Sequence, residues 1–289
     1  MRSSAFCPGH VSCVFEPMNT LHALSTGSRG IGIRLSLGSV ATVEERDDDV
    51  VNILIDGSVS AAMITRTVAQ ILAPGRGFDI TIENDLPMSQ GFGTSASGSI
   101  AAAVAIANIV GESRTKAFEA AHVSEVQGGG GLGDVSAIVA GRDVPVRVRS
   151  GFPPRGIVEN ADIRFDTLTL GVLGQKMSTQ SVLGDGESVQ RIRDAGDAAM
   201  ESFLREPTRE NLFEVSNRFS MDTCLESPLV RKAIMRLNEA GYSAGMCMLG
   251  NSIFTDAPVD KVRSIIGRGH VQAFACSSSS REIKLIRRV

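Results

Sequence analysis

The chain has 289 residues, 43% of them hydrophobic, and its mean hydropathy is +0.08. A globular chain of this length can bury one large core or two modest ones, and we expect two domains. The formal charge of -3 and the pI near 5.9 exclude a general electrostatic attraction to nucleic acid or to an anionic membrane surface. An aromatic content of 4% without tryptophan also disfavours base stacking. These features predict a small-molecule partner, with neither nucleic acid nor membrane.

The cysteines and the N-terminal segment indicate the cellular compartment. Five cysteines are scattered without CxxC spacing, which argues against a disulfide framework or a zinc site and suits a reducing environment. Pro8, Gly9 and His10 interrupt the apolar N-terminus, so it lacks the apolar segment of a signal peptide. No stretch approaches the ~20 apolar residues of a membrane span. We therefore expect a cytoplasmic protein.

Hydrophobic periodicity and turn residues predict the elements in chain order. Short strand-like runs fill the first part of the chain, and the acidic run 44–49 has the composition of a hairpin tip. The elements predicted after it are a helix over 58–72, a strand over 78–85, a helix ending at 111, a helix over 115–127, strands over 135–141 and 144–151, one or two strands over 161–174, mainly helix over 186–240, and strand and loop in the tail.

The order of these elements predicts the fold class. Strands and helices are mixed without regular alternation, which is typical of an α+β protein. Two prolines and two glycines in "SGFPPRG", residues 150–156, mark the expected boundary between an N-terminal domain, 1–150, and a C-terminal domain, 151–289.

The segment "LPMSQGFGTSASGSIAAAVAIANIVG", residues 86–111, joins a glycine- and hydroxyl-rich loop to an alanine-rich helix. A helix N-terminus has unpaired N–H groups and a partial positive charge, and glycines let the backbone approach an anion closely. The combination favours a triphosphate, although a capped helix after a loop is an alternative. No GxxxxGK[ST] motif is present, and the GxGxxG match at 128–133 follows a predicted helix, which excludes a Rossmann context.

Three segments together resemble the signature motifs of the GHMP kinases: "CPGHVSCVFE", "PMSQGFGTSASGS" and "GYSAGMCMLGNS". The resemblance implies a fold of two α+β domains with the nucleotide and the acceptor in the cleft between them. Phe92 and Thr94 depart from the usual leucine and serine of the central motif but keep their apolar and hydroxyl character. The positions that the resemblance assigns to nucleotide binding are Pro87, Gly91, Gly93, Thr94, Ser95, Ala96 and Ser97.

Further segments resemble the archaeal branch of this family that phosphorylates pantoate on the route to coenzyme A. They are "GSRGIGI", "AHVSEVQGGGGLGDVSA", "VRVRSG" and "MLGNSIF". The resemblance implies ATP and Mg²⁺ as cofactors and pantoate as the acceptor. Another acceptor, such as mevalonate, homoserine or shikimate, and a catalytically silent nucleotide-binding regulator are the alternatives. The sequence leaves the oligomeric state open, a homodimer included.

The resemblance also implies the chemical roles of three residues. Ser95 and Glu125 are the expected Mg²⁺ contacts, because Mg²⁺ prefers oxygen ligands and keeps several waters. The alternative for Glu125 is a solvated helix residue. Asp134 in "GLGDVSA" is expected to be the catalytic base or to orient the acceptor hydroxyl, while a simple turn former is the alternative.

A hydroxy acid such as pantoate needs a cation for its carboxylate, and arginine provides a planar pair of donors. Arg29, Arg147 and Arg149 are the candidates. Strand alternation puts Arg147 and Arg149 on one face, and we favour Arg147 slightly. The remaining substrate-side residues expected from the motifs are Ser28, His122 and His10.

Overall fold

The computed structural model describes residues 1–176 and 186–286. Its strands form two sheets, and in the larger one the order is β12-β1-β2-β5-β3-β4, with β6 paired to β2 and β7 paired to β6. The smaller sheet has the order β11-β8-β10-β9. The strands are β1 Arg2–Met18, β2 Gly27–Glu45, β3 Val51–Ile55, β4 Ser58–Val59, β5 Phe78–Asn84, β6 Pro145–Arg149, β7 Ile157–Asn160, β8 Leu168–Val172, β9 Ala244–Met246, β10 Ser252–Thr255, β11 Gln272–Cys276 and β12 Lys284–Leu285.

The helices fall into two groups along the chain. Those of the first part are α1 Met63–Leu72, α2 Thr94–Val110, α3 Arg114–Gln127 and α4 Asp134–Val139. Those of the second part are α5 Gly186–Arg205, α6 Arg209–Asp222, α7 Pro228–Glu239 and α8 Val259–Ile266. The predicted mainly helical character of 186–240 is confirmed, and so is the α+β class.

Helix α2 is the centre of the first group. It packs on β1, β2, α1 and α3, and small residues such as Ala101, Ala103 and Ala105 are fully buried along it. Since alanine costs no side-chain entropy and needs little space, it allows a helix to be buried on every side. This burial holds the N-terminus of α2 in a fixed place.

The acidic run 44–49 is not a hairpin tip, contrary to the prediction. Strand β5 lies between β2 and β3, antiparallel to β2 and parallel to β3. The run therefore spans the end of β2 and most of the connection 46–50 to β3, in which Arg46 Nη2 lies 2.6 Å from Asp48 Oδ2. Composition identifies a turn, but it does not say which strand will pair next to it.

Residues 135–141 were expected to form a strand, and this prediction is wrong. They lie largely within α4, where Ser136 Oγ–H donates to the Gly151 carbonyl at 2.9 Å. A short apolar run between glycines is compatible with a buried strand and with a buried helix turn, so periodicity alone does not separate them. The consequence for function is that Asp134 begins a helix.

The segment 150–156 connects β6 to β7 within the larger sheet, and β12 returns from the end of the chain to pair with β1. The division of the chain into domains 1–150 and 151–289 stays a prediction. Across residues 1–176 and 186–286, no helix is long and apolar enough to cross a membrane.

Candidate active site

A cavity of about 530 Å³ lies at the N-terminus of α2, where two glycine-rich loops meet. The first loop is 89–93 and the second is 128–133, which leads into α4. The side chains and backbone that line it belong to Ser12, Phe15, Ser28, Ile64, Ser89, Gly91, Phe92, Gly93, Thr94, Ser95, Gly128, Gly129, Gly130, Gly131, Leu132, Gly133, Asp134, Lys176, Met248 and Leu249.

The start of α2 has the properties of an anion site. Gly93 precedes the helix in a left-handed conformation, no side chain caps the helix, and its first turn holds no acidic residue. The first N–H groups of a helix have no partner within it, so these groups can donate to a bound anion. Gly91 is also left-handed, and a Cβ there would lie 2.6 Å from the Met248 carbonyl oxygen. Glycine is therefore required for the loop to pass this close to the backbone at 247–248.

The predicted nucleotide-binding residues separate into two groups. Gly91, Gly93, Thr94 and Ser95 line the cavity, as expected. The others, which are not among the lining residues, are Pro87, Ala96 and Ser97. Ala96 and Ser97 are buried, and Ser97 Oγ hydrogen-bonds Ser39 Oγ at 2.5 Å. They support the loop from behind rather than contact the cavity.

Glu125 projects from α3 to the start of α2 and is only 1% exposed. Ser95 Oγ–H donates to its Oε1 at 2.6 Å, and the Gly131 N–H donates to its Oε2 at 2.9 Å. Burial raises the pKa of Glu125 to about 7, more than these two hydrogen bonds lower it. A Cβ at Gly130 would lie 1.9 Å from Oε2, so the glycine run is shaped around this carboxyl group.

The pair Ser95 and Glu125 fits the requirements of Mg²⁺ but not those of a soft metal. Both donors are oxygens, and the buried carboxyl group of Glu125 has no ion-pair partner among the described residues. Within the described part of the chain, no group of three or more His, Cys, Asp or Glu residues could hold a metal ion. A cation here would take its remaining ligands from water and from phosphate oxygens.

Asp134 is the first residue of α4, and its side chain is 22% exposed. Its Oδ1 lies 2.7 Å from His10 Nδ1. Burial acts to raise the pKa of Asp134, but the hydrogen bond from His10 and the charge of Arg147 outweigh it, and the pKa lies below its usual value. The carboxylate is thus ionised and able to accept a proton or a hydrogen bond from a ligand.

His10 does not line the cavity, although we expected it on the substrate side. It is fully buried on β1 next to a β-bulge, and its ring lies over Gly32, where a Cβ would be 2.1 Å from Nε2. Burial lowers the pKa of His10, so the ring is neutral and Nδ1–H is the donor to Asp134. Its Nε2 has no hydrogen-bond partner in the described residues.

Arg147 is 1% exposed and is not a lining residue of the cavity. Its Nε–H donates to the Ser28 carbonyl at 3.2 Å, while Nη1 and Nη2 have no hydrogen-bond partner in the described residues. Arg149 is exposed instead, and its Nε–H donates to the Arg155 carbonyl at 2.6 Å. A register shift between the two arginines in the pairing with β7 accompanies this difference. The prediction of a shared face is wrong because such an irregularity breaks the alternation of a strand.

Of the other predicted substrate residues, Ser28 lines the cavity, whereas His122 and Arg29 do not. His122 Nε2 lies 3.1 Å from the Ala23 carbonyl oxygen and 3.0 Å from that of Thr26, so it fixes the turn that leads to Ser28. Arg29 Nη1 lies 2.9 Å from Glu16 Oε2 and also contacts Asp197. Arg29 thus ties α5 to the β1–β2 hairpin.

Sequence reasoning missed two parts of the site. Lys176 lines the cavity without belonging to any motif, and no sequence signal marks it. A smaller apolar cavity of about 230 Å³ adjoins the main one and shares Ile64, Ser89, Thr94, Ser95 and Gly128 with it. Met63 at the start of α1 lines this space and is 63% exposed, which the sequence does not show.

Comparison with known proteins agrees with this geometry. Residues 59–142 match the GHMP kinases N terminal domain. The chain is 30% identical over 276 residues to the pantoate kinase of Thermococcus kodakarensis, with 91% of each chain covered. It is 26% identical over 254 residues to the pantoate kinase of Methanocaldococcus jannaschii, which covers 86% of this chain and 90% of that one. A solved structure described as a phosphotransferase related to the CoA biosynthesis pathway has a TM-score of 0.89 and 27% identity, with 100% of both chains covered.

The fold and the cavity together define a small-molecule kinase of the GHMP class. The chain belongs to the GHMP kinase family, in the branch formed by the archaeal pantoate kinases. The predicted family and the predicted GHMP kinase fold are confirmed. The residue roles within the cavity remain predictions.

Proposed function

We propose that this kinase transfers the terminal phosphoryl group of ATP to the hydroxyl of pantoate, giving 4-phosphopantoate for coenzyme A biosynthesis. One observation carries the proposal: the unblocked N-terminus of α2 and the ionised carboxylate of Asp134 line the same cavity. The first can hold phosphate oxygens and the second can accept the proton of an attacking hydroxyl. The names of the two relatives described above support the acceptor.

The nucleotide is proposed to bind with its phosphates against Gly91–Ser97 and its base toward the smaller apolar cavity. Gly91, Gly93, Thr94 and Ser95 would contact the phosphates, while Pro87, Ala96 and Ser97 keep the loop in place. Ser95 and Glu125 would hold Mg²⁺, which would neutralise phosphate charge when bound. The buried carboxyl group of Glu125, with its pKa near 7, supports this role because a cation would favour its ionised form.

The acceptor is proposed to lie beside Ser28 and Asp134. The new bond forms between the acceptor oxygen and the terminal phosphorus, and the bond from that phosphorus to the bridging oxygen of ADP breaks. Asp134 takes the proton of the hydroxyl, so that ADP leaves with the charge of the broken bond. Either carboxylate oxygen could serve, but Oδ1 already accepts from His10, which favours Oδ2.

Substrate roles for the buried residues are proposed to be indirect. Arg147 favours the ionised state of Asp134 and holds the carbonyl of Ser28. His122 fixes the preceding turn, and His10 orients the Asp134 carboxylate. Arg29 is the least supported substrate contact, because it is engaged in ion pairs outside the cavity.

An acceptor panel tests the proposal. Purified protein is incubated with ATP, Mg²⁺ and either pantoate, mevalonate, homoserine or shikimate, and ADP release and phosphorylated product are measured. We expect turnover with pantoate and its loss in Asp134→Asn, with ATP binding retained. Preferred turnover of another acceptor would contradict the proposed substrate, and unchanged turnover in Asp134→Asn would contradict the proposed base.

The cytoplasmic location and a homodimer stay predictions.

A further inference from the structure

The cavity contains little positive charge for a site that is proposed to hold a triphosphate and a carboxylate. Arg29 and Arg147, the cations expected from the sequence, do not line it. Among the described lining residues, Lys176 is the one basic side chain. It is exposed and has no ion-pair partner in the described parts of the chain. Its ammonium group is thus available to an incoming anion.

The backbone before Lys176 is held by side chains from the two loops beside it. On one side, Gln90 Nε2–H donates to the Gly174 carbonyl at 3.1 Å. On the other side, Asn251 Nδ2–H donates to the Gln175 carbonyl at 2.8 Å. The Asn251 carbonyl also accepts from the Leu173 N–H at 2.9 Å. These bonds place the start of the lysine side chain between the two loops.

Gln90 belongs to the loop 89–93, so its hydrogen bond to Gly174 connects the backbone before Lys176 directly to that loop. It is 4% exposed, it immediately precedes Gly91, and its carbonyl accepts from Ser252 Oγ–H at 2.5 Å. A Cβ at Gly250 would lie 2.2 Å from the same carbonyl oxygen, so the contact between the loops is tight. The backbone just before Lys176 is therefore bonded to the loop 89–93, and not to the His10 and Arg147 cluster that surrounds Asp134.

We propose that Lys176 binds the terminal phosphates of the nucleotide at the N-terminus of α2. This inference rests on the proposed function, since it assumes a nucleotide in the cavity. An ammonium group is a flexible point charge that binds phosphate oxygens without a fixed pairing geometry. It complements the N–H groups of the helix start, which hold the same anion from the other side. Lys176 also offsets part of the charge that builds up on the transferring phosphoryl group.

Nucleotide titration of Lys176→Met tests the inference without any acceptor. Binding of ATP with Mg²⁺ is measured by calorimetry for the wild type, Lys176→Met and Lys176→Arg, and a non-hydrolysable ATP analogue serves as a check. A hydrogen bond between charged groups is worth about tenfold to a hundredfold in affinity. We expect that loss in Lys176→Met and a smaller loss in Lys176→Arg. Lys261→Met, at an exposed position on α8, is the matched control and should bind as the wild type does.

Steady-state kinetics separate the phosphates from the acceptor carboxylate. With saturating ATP, the KM for pantoate should stay within about twofold in Lys176→Met. Unchanged ATP affinity together with a raised KM for pantoate would overturn the inference and assign Lys176 to the acceptor. Unchanged values of both would exclude Lys176 from the site. If the wild type fails to phosphorylate pantoate but Lys176→Met still weakens ATP binding, the proposed acceptor fails and this inference stands.

Discussion

The contact between His10 and Asp134 leads to a quantitative prediction about the pH dependence of activity. Replacing His10 by leucine removes the Nδ1–H donor that lies 2.7 Å from Asp134 Oδ1, so the ionised carboxylate loses a stabilising hydrogen bond. Asparagine can keep a donor near the same position through its Nδ2–H. We therefore expect His10→Leu to be impaired and His10→Asn to retain much of the wild-type behaviour.

The magnitude follows from the hydrogen bond. A bond to a charged group contributes about 1.5–3 kcal/mol, which corresponds to about 1–2 pH units in the pKa of the acceptor. His10 lowers the pKa of Asp134 while burial raises it, so removal of His10 must raise the pKa. Because the base acts in its ionised form, the acid limb of the kcat/KM profile should move to higher pH by about 1–2 units.

The assay is the pH profile of kcat/KM for pantoate at saturating Mg²⁺, which keeps the nearby Glu125 ionised. His270→Asn, at an exposed position, is the control for a histidine change outside the site. Thermal melting of each variant shows whether it is folded in the pH range of the assay. An acid limb of His10→Leu that coincides with that of the wild type would refute the reasoning about Asp134.

Three further predictions follow from the cavity. Glu125→Gln should stabilise the metal-free protein at pH 8 by up to about 3 kcal/mol, because the wild type loses the stability of its protonated carboxyl group as pH rises through the pKa of about 7. Thermal melts at pH 8 without Mg²⁺ measure this difference in stability, and a variant less stable than the wild type contradicts the prediction. Gly91→Ala should abolish ATP binding, whereas Gly57→Ala, with a similar φ but open space around it, should not; calorimetric titration compares the two. Arg29→Ala should change kcat/KM for pantoate by less than about threefold, since Arg29 does not line the cavity and its ion pairs with Glu16 and Asp197 lie outside it; a tenfold rise in KM would restore Arg29 as a substrate contact.

Several elements could be predicted because their signals are local. The loop at 89–93 and helix α2 follow from neighbouring glycines, hydroxyls and alanines, which determine backbone conformation and helix formation over a few residues. Helix α3 also follows its predicted range closely. Glu125 could be assigned to the site only through the resemblance to a family, because a glutamate on a helix has no local feature that distinguishes it from a solvated one.

Other elements depend on contacts between distant segments. The parallel pairing of β3 with β5 and the helical state of 134–139 are decided by which neighbours cover these short apolar runs. The separation of Arg147 from Arg149 coincides with an irregularity in the pairing with β7. Such effects have no periodic signature, because they arise from the partner strand.

By itself, the sequence determined the glycine- and hydroxyl-rich loop, the buried helix behind it, the α+β class and the family, since each of these is encoded in contiguous residues or recurring motifs. Only the tertiary structure decided which side chains face the cavity. It brought His10 to Asp134 across 124 positions of the chain, turned Arg147 into the interior and added Lys176 to the lining. The physical reason is that burial and the approach of distant groups set the charge and orientation of a side chain, and neither quantity is a property of its neighbours in sequence.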